Sequence, residues 1–212
     1  MSDTHTLAPR LDVAGTGFTV LDRVYSDGVL ADEALGGSCA NVLVSLAMLG
    51  YRVAPVLCLG ADDTGAKLVE EFVQAGALVE FISQKDHLRS PIVAEEIDTA
   101  TAKHGFSFRC PVTHLDLPRY EPIGVTELID AASALGNCSI FYTDRLTAEI
   151  LEAMRCASQS GALIIFEPSA LDDAEMFADA LRVTTILKTS ADRISGEIDK
   201  WTVDSSTYLW IV

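Results

Sequence analysis

The chain has 212 residues, 49% of them apolar, and its 31 Asp+Glu against 15 Lys+Arg leave a formal net charge of −16 at pH 7. That much apolar chain makes one α/β domain or two small ones and excludes a wholly disordered protein. The acidic surplus argues against a general nucleic-acid or anionic-membrane binder, while leaving room for one phosphate site built from backbone N–H groups and a local cation.

In chain order, a strand at Leu11 to Ala14 leads through Gly15-Thr16-Gly17 into β-type residues. A helix from about Ala40 to Leu49 follows, stopped by Gly50 and apolar nearly all round, so it is expected to be buried. A strand from Val53 to Leu59 precedes Gly60 and a helix whose Leu68, Val69, Phe72 and Val73 share one face before Gly76. Val79 to Ile82 reads as a further strand. Residues 90–115 hold Pro91 to Ile97 and His104 to Phe108 joined by a polar stretch, the pattern of an antiparallel hairpin, and such inserts form lids or interfaces.

From Thr126 the rhythm is regular: helix 126–135, strand Ile140 to Thr143, helix 147–159, strand Leu163 to Phe166, helix about 173–181, strand Thr184 to Leu187. Strand, helix, strand with short connections predicts right-handed βαβ units and a mostly parallel sheet covered by helices. Tyr208 to Val212 is a β-type run without polar alternation, as in a central parallel strand. The expectation is an unfinished sheet and the front part of a larger domain, with an apolar surface around Leu209, Trp210 and Ile211; the alternative is a natural C-terminal strand docked in the sheet.

No run approaches the about 20 apolar residues of a membrane span, and Met1 to Thr6 lacks the regions of a secretion signal, so the sequence reads as cytoplasmic, with no membrane partner. Cys39, Cys58, Cys110, Cys138 and Cys156 contain no CxxC and read as reduced thiols. His5, His87, His104 and His114 show no metal-ligand spacing. Gly15-Thr16-Gly17 lacks the third glycine of a dinucleotide fingerprint, because position 20 is Val and no helix starts there.

Gly36-Gly37-Ser38-Cys39-Ala40-Asn41 is more informative. Paired glycines admit a ligand close to the backbone, the first-turn N–H groups of the helix can meet hydroxyl or phosphate oxygens, and Asn41 can donate and accept at once. The same residues also make a plain tight turn with Asn as a cap. Asp62 in Gly60-x-Asp62-x-x-Gly65 reads as a turn-former, Asp172-Asp173 as a helix start and Asp192 as a loop acid. Asp144, just after a strand, lies at the edge where α/β sheets bind ligands.

Gly17 to Asp22, Gly36-Gly37-x-x-x-Asn41 with Leu46-Ala47-x-Leu49-Gly50, Gly60-x-Asp62-x-x-Gly65, Phe166-Glu167-Pro168-Ser169 and Ile186-Leu187-Lys188-Thr189-Ser190, in this order, resemble the N-terminal two thirds of the ribokinase-like, or PfkB, carbohydrate kinases. The resemblance implies a three-layer α/β/α fold with a mostly parallel sheet and a small β-hairpin lid, here about residues 23–35 and 90–115. It makes residues 1–212 one domain, incomplete at its C-terminus. It also implies transfer of the γ-phosphate of ATP, with Mg²⁺, to a hydroxyl of a small-molecule sugar or nucleoside, and a homodimer through the lid strands.

Carried over residue by residue, Asp22 matches the carboxylate that accepts from sugar hydroxyls, and Gly36, Gly37 and Asn41 match the substrate-contacting turn, with Asp144 a further substrate candidate. Lys188 and Ser190 fall on the nucleotide and phosphate side. Two departures stand out. The family's Asn-x-x-Glu near the sixth strand is Ser190 and Arg193 here, and its Gly-Ala-Gly-Asp type motif, with the general base, does not occur in the sequence. The resemblance therefore places sugar-side residues but no catalytic base in this chain. The rival is a non-catalytic sugar-binding or interaction module of the same fold. In either case Asp22, Gly37 and Asn41 are expected to line one cleft between the parallel sheet and the 90–115 hairpin.

Overall fold

Strands with apolar side chains on both faces need a covering layer on each, and the helices provide both. The computed structural model describes residues 10–98, 103–170, 173–190 and 208–211. In chain order the elements are β1 (Leu11–Thr16), β2 (Val20–Ser26), β3 (Val29–Gly36), α1 (Ser38–Met48), β4 (Val53–Pro55), β5 (Leu57–Gly60) and α2 (Asp63–Ala75). A 3₁₀ turn (Val79–Phe81), β6 (Ile82–Lys85), β7 (Ile92–Asp98), β8 (Lys103–Ser107), α3 (Val125–Asp130) and α4 (Ala132–Leu135) follow. The order closes with β9 (Cys138–Thr143), α5 (Ala148–Gln159), β10 (Leu163–Phe166), α6 (Ala174–Val183), β11 (Ile186–Thr189) and β12 (Tyr208–Ile211).

The central sheet has the order β12-β11-β10-β9-β1-β4, with every pair parallel. Alternate residues divide between two cores. Val13, Val53 and Tyr142 pack with Cys39, Leu43 and Ala47 of α1 and Phe72 of α2. Ala14, Phe141, Ile164 and Leu187 pack with Ile150, Met154 and Ala157 of α5 and with Phe177 and Ala180 of α6. The result is the α/β/α layering that the segment order predicts.

A second sheet, ordered β3-β2-β7-β8, pairs β2 antiparallel to β3 and parallel to β7, and β7 antiparallel to β8. Its Leu21, Tyr25, Ile92 and Ala94 rest on Leu59 and Leu68, forming a third core. Leu68 and Phe72 on one face of α2 therefore join the second sheet to the first.

Local structure departs from the sequence expectations at four places. The strand expected over Val53 to Leu59 is two, because after Pro55 the chain leaves the central sheet and β5 pairs with β6 in a separate parallel ribbon. Val79 to Phe81 is a 3₁₀ turn and not a strand, so pairing begins only at Ile82. The 126–135 helix is broken at Ala131 into α3 and α4. α1 buries the residues that meet the sheet but leaves Met48 and Leu49 73% and 75% exposed, since among the described residues nothing lies beyond this outer layer. β12 pairs with β11 at one edge of the sheet, and the side chains of Leu209, Trp210 and Ile211 lie outside the described residues, as do Asp172, Asp192 and Arg193.

Candidate functional site

From β1 the central sheet grows one way, through α1 to β4; from β9 it grows the other way, through α5 and α6 to β10 and β11. The C-terminal ends of β1 and β9 lie side by side, with Thr16 paired to Thr143. The loops that leave them diverge at this switch point, where open parallel sheets take ligands.

Asp144 fills the bottom of the crevice. Its Oδ1 accepts the Phe18 N–H at 2.8 Å, and its Oδ2 accepts the Ser38 hydroxyl and Arg145 at 3.2 Å. Gly17 has no Cβ because one would stand 1.9 Å from Asp144 Oδ1. The Asp144 side chain is 1% exposed, and burial pushes its carboxyl up against the opposing pull of Arg145, Ser38 and Phe18. Both oxygens are thus taken by the protein. Asp144, the further substrate candidate, ties the β1 loop, the start of α1 and the end of β9 together. Arg145 also stacks over the Phe18 ring, 4.4 Å from its centroid, with Tyr120 on the same cation.

Above this knot lies the paired-glycine turn. Cys39 and Ala40 N–H donate to the Phe18 carbonyl at 3.2 and 3.4 Å, so these two amides of the first turn of α1 are capped by protein and not offered to a ligand. Gly37, with φ 94°, is held in the same contact, for its Cβ would stand 2.3 Å from Phe18 O. Gly36 makes a different approach: a Cβ there would fall 1.8 Å from Asp22 Oδ2. The Asp22 carboxylate therefore lies flat against the turn that opens α1. It accepts no hydrogen bond from the described residues, and burial together with the nearby Glu95 raises it to about 6. Asn41 begins the second turn of α1, exposed, its side chain without a hydrogen bond among the described residues. Asp22, Gly36, Gly37 and Asn41 are thus gathered at the junction of the second sheet and α1.

On the phosphate side, Lys188 Nζ lies 2.6 Å from Glu167 Oε1, while Tyr142 donates to Glu167 Oε2 at 2.9 Å. The lysine charge is matched by a carboxylate, and half-buried Ser190 follows it. This pair does not by itself form a cradle for a triphosphate. Among the described residues no group of three His, Cys, Asp or Glu side chains is placed to hold a metal ion.

Sequence reasoning passed over Glu95, Arg145, Ser38 and Tyr120. Glu95 leaves a trace, a paired acid in the middle of an apolar strand. The hydroxyls of Thr16, Thr19 and Tyr120 are buried without partners among the described residues, which is uncommon for polar groups and concentrates polarity around the end of β1. A cavity of about 340 Å³ adjoins the Asp144–Arg145 end of β9 and runs between the starts of α5 and α6, and another of about 690 Å³ lies away from it, under the second sheet beside Tyr25 and Cys110.

A family model described as pfkB family carbohydrate kinase matches residues 31–202. None of the curated proteins matches the chain in sequence. Among solved structures, an uncharacterised sugar kinase from Pyrococcus horikoshii superposes with a TM-score of 0.73 at 17% identity, covering 94% of this chain and 70% of its own. A fructokinase with bound ATP from Xylella fastidiosa gives 0.69 at 20%, covering 92% and 66%. A 2-dehydro-3-deoxygluconokinase from Thermotoga maritima gives 0.72 at 16%, covering 87% and 61%. The chain spans about two thirds of the length of these structures, and at such identities the likeness shows the fold.

Proposed function

The chain belongs to the pfkB family of carbohydrate kinases, and from that premise we propose that it carries the acceptor side of an ATP-dependent kinase for a hydroxyl of a sugar, polyol or nucleoside. The carrying observation is the Asp22 carboxylate, half-buried, without a hydrogen-bond partner among the described residues and laid against Gly36. Such a group accepts hydroxyl hydrogen bonds, Gly36 makes room for it against the turn that opens α1, and the exposed Asn41 amide both donates and accepts. Asp144 acts behind them, fixing Ser38 and hence the angle at which α1 leaves the turn.

Family membership and the ATP-bound fructokinase among the structural neighbours support ATP as the donor. Bound ATP would supply the phosphoryl group, while these residues orient the acceptor hydroxyl and hold it out of bulk water. The cytoplasm is where ATP is held ready for such a reaction. We also assign the second sheet the part of a lid over the acceptor, and its outer strands β3 and β8, where Val29, Leu30 and Phe106 are exposed, the part of a contact with a second copy.

The test is binding and ATP consumption over a panel of sugars and nucleosides. The 212-residue chain is expected to bind its acceptor weakly and to lose that binding in Asp22→Ala, since an unpaired buried hydroxyl costs about 1–3 kcal/mol. It is expected to turn over no faster than background, because no Gly-x-Gly-Asp sequence occurs in it. Turnover by this chain, or binding indifferent to Asp22→Ala, would overturn the reading. Binding without turnover by a longer natural form would select the alternative, a non-catalytic sugar-binding module of the same fold.

A further inference from the structure

The second sheet sets another acid beside Asp22. Its register pairs Asp22 with Val93 and Val24 with Glu95. Alternation along β2 and β7 then puts Asp22 and Glu95 on one face, opposite the Leu21, Tyr25, Ile92 and Ala94 that fill the core beneath. The Glu95 side chain is 20% exposed, and its partner is the His104 imidazole. No Lys or Arg pairs with either acid among the described residues. Arg23, next in the chain, turns to the other face and is held by Glu33 at 2.7 Å.

We infer that the acceptor carries no anionic group: it is a free sugar, polyol or nucleoside and not a sugar acid or sugar phosphate, and Glu95 enforces this by sharing with Asp22 the face that the acceptor meets. The inference rests on the reading of Asp22 as an acceptor contact. Hydroxyls can donate to both carboxylates, whereas a carboxylate or phosphate group has only acceptor oxygens to offer and meets like charge where, among the described residues, no Lys or Arg is paired with either acid and Arg145 of the crevice is already matched by Asp144. Discrimination by an unfavourable charge costs the correct acceptor nothing. Burial and Glu95 together lift the Asp22 carboxyl to about 6, which agrees with the two acids acting on each other.

The experiment titrates the 212-residue chain at about pH 7.5, where Asp22 is ionised, with matched pairs: fructose and fructose 6-phosphate, glucose and gluconate. The neutral member of the bound pair is expected to bind at least tenfold tighter, and Glu95→Gln, which keeps the shape and removes the charge, is expected to shrink that ratio at least threefold. The Asp22 carboxyl, followed by NMR without any ligand, is expected to titrate lower in Glu95→Gln. An anionic member that binds as tightly as its neutral partner, a ratio unmoved by Glu95→Gln, or an Asp22 midpoint unmoved by it overturns the inference and leaves the kinase reading standing. If Asp22 responds to Glu95→Gln and no sugar of either kind binds, the acceptor reading falls and takes this inference with it.

Discussion

Asp22 is ionised at the expense of the fold. Its carboxyl stands at about 6 against an ordinary 3.8, with burial the larger cause and Glu95 the second. Below the ordinary value the acid is protonated in folded and unfolded chains alike; as pH rises through 6 the folded chain must ionise a half-buried group, and stability is lost. The full shift would be about 3 kcal/mol, which solvent screening of a half-exposed carboxylate reduces to roughly 1 kcal/mol. Asp22→Asn is therefore expected to stabilise the chain by about 1 kcal/mol at pH 8 and by nothing measurable at pH 4, read from urea unfolding at the two values, while acceptor binding disappears. Equal effects at both pH values would contradict this. The two neighbouring glycines are expected to separate in the same way. Gly36→Ala pushes only against the movable tip of Asp22, so stability should fall by less than about 1 kcal/mol while binding is lost. Gly37→Ala meets the Phe18 carbonyl at a backbone angle open to glycine alone, and should cost about 2–3 kcal/mol in the same urea measurement. The pair Gly36-Gly37 was legible in the sequence as a close-approach turn. That one glycine yields to a side chain and the other to a backbone was not, because Asp22 and Phe18 meet them only across the folded junction.

At the scale of elements, Glu127 joins α3 to β6. Its carboxylate accepts from Lys85 at 2.7 Å, from the Ser83 hydroxyl at 2.9 Å and from the Gly124 N–H at 2.9 Å. Burial pushes this carboxyl up, but Lys85, Gly124 and Ser83 together carry it below its ordinary value. A lowered carboxyl contributes stability that is present above its ordinary value and is lost as pH falls through the folded one. Glu127→Gln is expected to cost about 2 kcal/mol at neutral pH and less in acid, with amide exchange quickening first in α3; exchange unchanged in α3 would show that the link is idle. Periodicity made most helices and the parallel sheet readable from residues alone, since turns of 3.6 and 2 residues are local properties. The break after Pro55 was not readable, because it depends on β6 offering itself to β5 while β1 holds β4. Asp144 and Lys188 were placed at the right strand ends, yet their partners Ser38 and Glu167 lie 106 and 21 residues away. No spacing rule shows that a carboxylate is already occupied.

For the whole molecule, the second sheet presents two edge strands, β3 and β8, which carry the exposed Val29, Leu30 and Phe106 and offer unpaired backbone to a second copy. Sedimentation of the chain is expected to show a concentration-dependent dimer that Leu30→Glu or Phe106→Glu dissociates; a monomer at every concentration would remove the second copy from the proposal. The knot at the end of β1 has its own consequence. Phe18 and Asp144 lie 126 residues apart, so the amide that leaves β1 waits for its acceptor until β9 has been made. At about 5–20 residues per second of synthesis the wait is roughly 6–25 s. Through that interval β1 has β4 on one flank and a bare edge on the other, and a nascent chain in this state is a natural client for a holding chaperone. The knot thus closes only once Asp144 has been made, although Phe18 is among the earliest residues to leave the ribosome.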